Sequence, residues 1–396
     1  MKQQVIIVWL RDDLRMTDNP ALLYAAQQGI VIPVYIDDSS QIDHCKAGAA
    51  SNYWLHHSLD QLNRSMTDGL GLFKGDPLTV LQHIAEITGA RLICWNRRYT
   101  PDAIHRDSAI EAQLLSHNIE VKTFNGSLLW EPWTIAKADG SPYKVFTAFY
   151  NNGCLKASEP ALPMPAPASI QLYRGPKPNQ QQTLQQLRLL PEHHWSDKIS
   201  EHWDISEKAA QAQLSRFISE RLQDYETGRD FPSQQLTSGL SPYLKHGQIS
   251  PNQVWHSVRQ EACLHHPQRN QQKFLQQLGW REFAYYQLYH QPQMPDQNLK
   301  RIYDHFPWQH DAGQIRLWQQ GKTGFPIIDA GMRELWQTGS MHNRVRMLSA
   351  SFLVKNQLQH WLHGARWFSD TLVDADLAIN SASWQWVAGA GADAAP

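Results

Sequence analysis

With 396 residues the chain is too long for one ordinary core and long enough for two or three domains. At 42% hydrophobic and 18% charged residues it belongs with globular rather than disordered proteins, and a net charge of −1 gives no global sign of nucleic-acid binding. No apolar run approaches ~18 residues, so no membrane span is expected. Cys45, Cys94, Cys154 and Cys263 are scattered without CxxC spacing, which argues against a disulfide framework or zinc site and fits a reducing cytoplasm.

Val5–Leu10 reads as a buried strand, too short and too β-branched for a signal peptide. Asn19–Gln28 then reads as a helix, Ile30–Asp37 as a strand, Asn52–Met66 as a helix and Leu70–Lys74 as a strand. Pro77–Ile87 is a predicted helix, Arg91–Trp95 a strand, Thr100–Ser116 a helix and Ile119–Phe124 a strand. Strands without strict alternation, separated by helices, predict a doubly wound parallel sheet covered on both faces, an α/β domain over residues 1–130. It has no GxGxxG loop after the first strand, so the dinucleotide fingerprint is absent. Residues 131–200 predict a connector, with Pro160, Pro163, Pro165, Pro167, Pro176 and Pro178 leading into Asn179-Gln180-Gln181-Gln182 on the surface. From 201 to 396 the spacing turns helical and predicts an all-α domain, with helices over Trp203–Asp224, Pro251–His265, Asn270–Tyr289, Gln314–Gln320, Gly331–Gln337, His342–Leu362 and Phe368–Leu372. Charge divides the same way: residues 1–150 carry 13 Lys+Arg against 16 Asp+Glu, whereas residues 251–350 carry 11 against 7. The latter stretch suits a polyanion or a mixed solvated face.

Tryptophan is in excess, 16 in the chain, and half of these fall between Trp280 and Trp386. Thr237-Ser238-Gly239-Leu240-Ser241, ahead of Pro242, reads as a phosphate cradle or as a plain helix cap. Gly279-Trp280-Arg281-Glu282-Phe283 reads as a core helix with one buried ion pair. Asn343, Arg344 and Arg346 suit a charged or heterocyclic ligand or a solvated face, and Asp374 and Asp376 are partners for Arg346, for ligand hydroxyls, or parts of a structural loop. Trp384 and Trp386, two apart, cannot share a helix face, so one is expected to point inward and the other into a cleft. Aromatic platforms in a basic cleft are what an unstacked base needs.

In this order the motifs resemble the DNA photolyase/cryptochrome family over essentially the whole chain. The resemblance runs from Leu10-Arg11-Asp12-Asp13-Leu14-Arg15 and Asp18-Asn19-Pro20-Ala21-Leu22 through Gly228-Arg229-Asp230-Phe231-Pro232, Thr237–Ser241, Trp280–Phe283 and Gly321-Lys322-Thr323-Gly324-Phe325-Pro326 to Met341–Met347 and Asp374–Trp386. It implies an N-terminal antenna domain, with folate or deazaflavin as possible chromophore, and a helical domain holding FAD, active in its reduced form. By position it places Tyr225, Thr237, Ser238, Gly239, Leu240 and Ser241 along the flavin phosphates and ribityl chain, and Phe274, Gln277 and Arg281 on one helix face around the cofactor. Arg346 with Asp374 is expected to bracket the isoalloxazine ring, with Asp376 and Asn343 nearby and Asn380 facing N5. Trp280 and Trp386 match the residues that pack on a flipped-out cyclobutane pyrimidine dimer, with Gln277, Asn343 and Met347 beside it and Arg229 and Arg344 on phosphates. Trp384, Trp361 and Trp308 match the family's electron relay, leaving Trp318, Trp336 and Trp367 as packing.

The resemblance implies a light-driven deoxyribodipyrimidine photo-lyase, a cytoplasmic monomer whose partner is damaged DNA, with no membrane and no obligate protein partner. A cryptochrome-type photoreceptor and (6-4) photoproduct repair are the alternatives. Retention of both Trp280 and Trp386 disfavours the first, and the lack of histidine at Asn343 and Met347 disfavours the second. Gln277 stands where dimer-repairing relatives carry Glu, and since an amide only hydrogen-bonds, reduced repair efficiency is expected. Ser340 replaces a tryptophan common in bacterial relatives, and Asn96–Thr100 lacks the acidic residue that helps hold a folate. The sequence ends at Asp393-Ala394-Ala395-Pro396, short of the family's final helices, which predicts exposed apolar surface and weaker FAD and DNA binding.

Overall fold

The computed structural model describes residues 4–38, 47–176, 178–191, 194–265 and 268–393. Cys45, the side chain of Cys263 and the terminal Ala394-Ala395-Pro396 lie outside the described residues; Cys94 and Cys154 are free and buried.

The first half alternates β1 (Gln4–Leu10), α1 (Pro20–Gln28), β2 (Gly29–Asp37), α2 (Ala49–Ser65), β3 (Gly71–Lys74), α3 (Pro77–Thr88), β4 (Leu92–Asn96), α4 (Pro101–Ser116) and β5 (Glu120–Phe124). All strand pairs are parallel, in the order β3-β2-β1-β4-β5, so the sheet is doubly wound as expected. The central strand explains why its sequence does not alternate. Ile6, Val8 and Leu10 pack with Leu22, Leu59 and Leu62 on one face, while Ile7 and Trp9 pack with Leu81, Ile84 and Leu114 on the other. Both faces are dry from Ile6 to Leu10, so these successive positions must all be apolar. Residues 171–173 serve the sheet too: Val31 N donates to Gln171 O at 2.8 Å and Tyr173 N to Val31 O at 3.0 Å, occupying the part of β2 that the four-residue β3 does not reach.

The second half is helical: α5 (Glu207–Glu220), α6 (Ser241–Lys245), α7 (Pro251–His265), α8 (Gln268–His290), α9 (Ala312–Gln319), α10 (Pro326–Thr338), α11 (Asn343–Ser351), α12 (Trp361–Thr371) and α13 (Leu377–Ala388). Three expectations need correction, the simplest being that Phe368–Leu372 is no helix of its own but the end of α12. The predicted helix His342–Leu362 is two helices: α11 runs into a π-type turn at Phe352–Asn356, the chain breaks, and α12 starts at Trp361. Leu358 at φ 53° makes the break, and it is sealed by Gln309 N donating to Leu358 O at 2.8 Å and Asp311 N donating to the Gln359 side chain at 3.0 Å. The third correction concerns Asp374–Trp386, read with no helix, where α13 lies.

Buried polar groups join the halves. Arg15 donates to the carbonyls of Asp18, Gly126 and Gly247, Trp54 Nε1 reaches Gln248 at 2.8 Å, and Glu207 accepts from Met16 N and Thr17 N. The expected ion pair of Arg281 and Glu282 is present at 3.0 Å, and Glu282 also accepts from Leu129 N and Trp130 N. Burial pushes the Glu282 carboxyl up to about 7, against the pull of Arg281 and the two amides.

Candidate functional site

Helix α13 organises the site. Asp376 caps it, its side chain accepting from Ile379 N at 3.0 Å, and the same carboxylate accepts the Tyr285 hydroxyl from α8. Burial, then the Asp376 charge, push the Tyr285 phenol well above its ordinary value, so Tyr285 remains the donor. One turn on, Asn380 donates its amide to Ala365 O at 2.9 Å, leaving its carbonyl oxygen as acceptor. Asp376, Asn380 and Tyr285 line a cleft of about 150 Å³, which also reaches Trp9, Arg11, Tyr35 and Asp37 at the carboxyl ends of β1 and β2. Open α/β sheets bind ligands at that end of their strands.

Beside the cleft, Arg346 makes a two-pronged contact with Asp374 at 3.0 and 3.1 Å, and Ser241 Oγ donates to Asp374 at 2.6 Å. The pairing of Arg346 with Asp374 is thus present, and Ser241 joins it, a contact the sequence did not indicate. The hydroxyls of 237–241 are not plain caps: no side chain caps α6, and Gly239 at φ 65° fits where a Cβ would sit 2.9 Å from Gln213 Nε2. Gln213 in turn donates to Ser238 O, Arg221 reaches Thr237 O, and Leu240 is buried. This donor set fits a flavin nucleotide: hydroxyls and turn amides for phosphate, a guanidinium–carboxylate pair for the polar ring edge, and an amide acceptor for a ring N–H. Tyr225 and Phe274 pack on each other at 5.3 Å and with Phe217 in the core, and Gln277 donates back to Lys273 O. Arg281 donates to Ser127 O at 2.9 Å, and its guanidinium lies 5.1 Å from the ring of Tyr285, the residue that bonds the Asp376 cap of α13.

Asn380 and Trp384 stand at i and i+4 and share a helix face. Trp384 is buried against Phe368 at 5.0 Å and Trp318 at 6.2 Å, and its ring lies over Gly364, where a Cβ would come within 2.0 Å. Three residues before Gly364 is Trp361, fully buried, whose Nε1 donates to Asn298 at 2.8 Å. Half-buried Trp308 follows, with His360 between them. Of the remaining tryptophans, Trp318 is buried, and Trp336 and Trp367 stack at 6.0 Å.

A second group lies on α8 and α11. Trp280 is 38% exposed and stacks flat on Phe146, centroids 3.7 Å apart and planes 11° off parallel. Behind Phe146 lies Tyr150, also stacked. Trp386 is half-buried against the cluster that holds Trp384 and Trp361, so Trp280 and Trp386 belong to different packing clusters. Arg344 approaches Met347 Sδ at 3.4 Å and pairs with Asp230 at 2.6 Å, while Arg229 lies 3.7 Å from Asp230; Asn343 is exposed.

Phe146, Tyr285, His360 and Gly364 escaped the sequence reading. The aromatic run Tyr143, Phe146, Phe149, Tyr150 was the only signal for the first, and the other three act through tertiary contacts.

The chain matches the model of "DNA photolyase" over residues 6–168 and that of "FAD binding domain of DNA photolyase" over 274–396. It is 43% identical to a deoxyribodipyrimidine photo-lyase of Agrobacterium fabrum, the match covering 100% of this chain and 82% of the relative. It is 34% identical to cryptochrome-2 of Arabidopsis thaliana, over 97% of this chain and 64% of that one. The crystal structure of a bacterial class III photolyase from Agrobacterium tumefaciens superposes with a TM-score of 0.95 at 42% identity, covering 100% of this chain and 82% of that one.

Proposed function

This chain belongs to the DNA photolyase and cryptochrome family, and from that membership we propose that it is a light-dependent DNA repair enzyme, splitting cyclobutane pyrimidine dimers with an electron from bound, reduced FAD. One observation carries repair over signalling: Trp280 is a large ring held rigid from behind by Phe146 with its other side open. An unstacked lesion base needs such a face, and stacking on it is worth about 1–3 kcal/mol per base.

When bound and reduced, FAD supplies the electron on absorbing light. The residues do the rest. Ser241, Arg346 and Asp374 anchor the polar parts of the cofactor, and Tyr285 fixes the Asp376 carboxylate that caps α13. The Asn380 carbonyl accepts a hydrogen bond and so favours a protonated ring nitrogen. Trp280 and Trp386 take the lesion, with Met347, Asn343 and Gln277 at its edge, and Arg229 and Arg344 serve the phosphates, Arg344 exchanging Asp230 for DNA. Trp384, Trp361 and Trp308 carry electrons inward to reduce the resting cofactor. The strand-end part of this cleft, lined by Trp9, Arg11, Tyr35 and Asp37 away from Asn380, suits a second, light-harvesting chromophore, folate or deazaflavin. In this reading residues 1–130 are the antenna domain, 131–200 the connector and 201–396 the FAD- and DNA-binding domain. No helix among the described residues is long and apolar enough to cross a membrane.

The test is recovery of thymine absorbance when photoreduced protein and DNA with a cyclobutane thymine dimer are illuminated with blue or near-UV light. Recovery is expected; its absence with bound, reducible FAD sinks cyclobutane dimer repair and leaves the photoreceptor and (6-4) readings.

A further inference from the structure

We infer that His360 is a pH-dependent positioning residue of the tryptophan relay, and that its protonation closes the path from Trp384 to Trp308. The inference rests on the relay reading above. The His360 ring lies between the two outer indoles, with centroids 5.3 Å from Trp308 and 5.7 Å from Trp361, nearly parallel to the latter at 27°. It is also the cap of α12: its Nδ1 accepts from Leu362 N at 3.2 Å. The neutral ring therefore carries its proton on Nε2, and a second proton must go to Nδ1. That proton removes the cap and puts a positive charge at a helix N-terminus, where the dipole opposes it.

The groups facing His360 agree. His363 and Arg366 on its own helix and His310 on the neighbouring 307–311 segment oppose its protonation, and Asp304 on the Arg301–His305 turn favours it. Burial adds to the opposition and is the largest cause, so the ring titrates below its ordinary value and is neutral at neutral pH. Since the folded state prefers the neutral ring, the cap is fully present above pH ~6.5 and is lost as pH falls through the lowered folded value.

The relay feels this directly. One electron passes from Trp361 to oxidised Trp384 and one from Trp308 to oxidised Trp361. Trp308 ends one electron short, the flavin one electron richer, and a thiol in solution restores Trp308. The Trp308 Nε1 is buried with no hydrogen-bond partner, so the oxidised ring cannot pass its proton directly to water and remains a cation beside His360. An imidazolium about as close to both rings opposes a hole on either, so the hole stays at Trp384 and recombines.

The experiment uses the FAD-loaded full chain with a thiol, comparing photoreduction at pH 8.0 and 5.5 in wild type and His360→Asn. Asn accepts the same cap hydrogen bond and does not titrate. The wild-type rate is expected to fall between the two pH values in step with the fraction of His360 that is protonated, and the variant's to show no such fall. Ring-nitrogen NMR in the dark, assigned by the signal that His360→Asn removes, is expected to show titration below pH ~6.5 at Nδ1. If Trp308→Phe and Trp361→Phe leave photoreduction unchanged at pH 8.0, the relay reading fails and takes the inference with it. If they slow it but His360→Asn follows the wild-type pH profile, the relay stands and the His360 assignment is overturned. A flat profile in His363→Asn or His310→Asn overturns it equally.

Discussion

Two aromatic regions of this molecule use the same residue type under opposite constraints. Around α12 and α13, Trp361 and Trp384 are 0% and 2% exposed, packed on all sides, with Trp361 hydrogen-bonded and Trp384 seated on a glycine. On α8, Trp280 is 38% exposed, stacked on Phe146 and edge-on to Phe283. A ring fixed on every side can exchange electrons at a set distance but can touch no substrate. A ring backed by one partner keeps a face to offer, at the cost of exposing apolar area to water. Repair and reduction therefore draw on separate tryptophans and are expected to be separable by mutation.

The largest expected effect breaks the buried region. Gly364→Ala forces a methyl into the Trp384 ring, and such overpacking costs about 1–3 kcal/mol. Thermal unfolding is expected to show the loss and photoreduction to slow, while dimer-containing DNA still binds to protein reduced chemically beforehand. Next, Trp280→Ala removes the open platform and is expected to weaken lesion binding by about 1–3 kcal/mol without slowing photoreduction. A photoreduction defect in that variant would erase the contrast between the regions. Phe146→Leu keeps an apolar side chain behind Trp280 but loses the stack, so affinity for the lesion should fall by about 0.5–1.5 kcal/mol, read by titration with labelled DNA. The smallest change is Gln277→Glu, expected to raise the repair rate roughly severalfold at unchanged photoreduction, in single-turnover illumination.

The α/β half was legible because local pattern and tertiary role agree there. β1 is apolar from Val5 to Leu10 since both faces are buried there, and Pro20, Pro77 and Pro101 open their helices. The helical half was less so. α13 carries Leu377, Ile379, Trp384, Trp386 and Val387 all round its surface, mixed with Asn380, Ser381 and Ser383, and a helix enclosed on several sides shows no apolar stripe. The break before α12 has neither glycine nor proline: Leu358 takes a left-handed conformation because Gln359 and the 309–311 segment hold it. That hidden break is what makes His360 a cap. The Arg346 and Asp374 pair was legible because both residue types are chemically conspicuous, whereas the Ser241 contact to it, Phe146 and Gly364 matter only through what lies against them.

Helix α13 also works as a ruler. It holds the amide at 380, the buried indole at 384 and the half-exposed indole at 386 on one rigid rod, with the cleft, the relay and the lesion surface spaced along it. Each residue of an α-helix turns by about 100° and advances about 1.5 Å, so an insertion or deletion between 380 and 386 would swing every later side chain onto a different neighbour. This segment is therefore expected to tolerate exchange of side chains far better than any change of length.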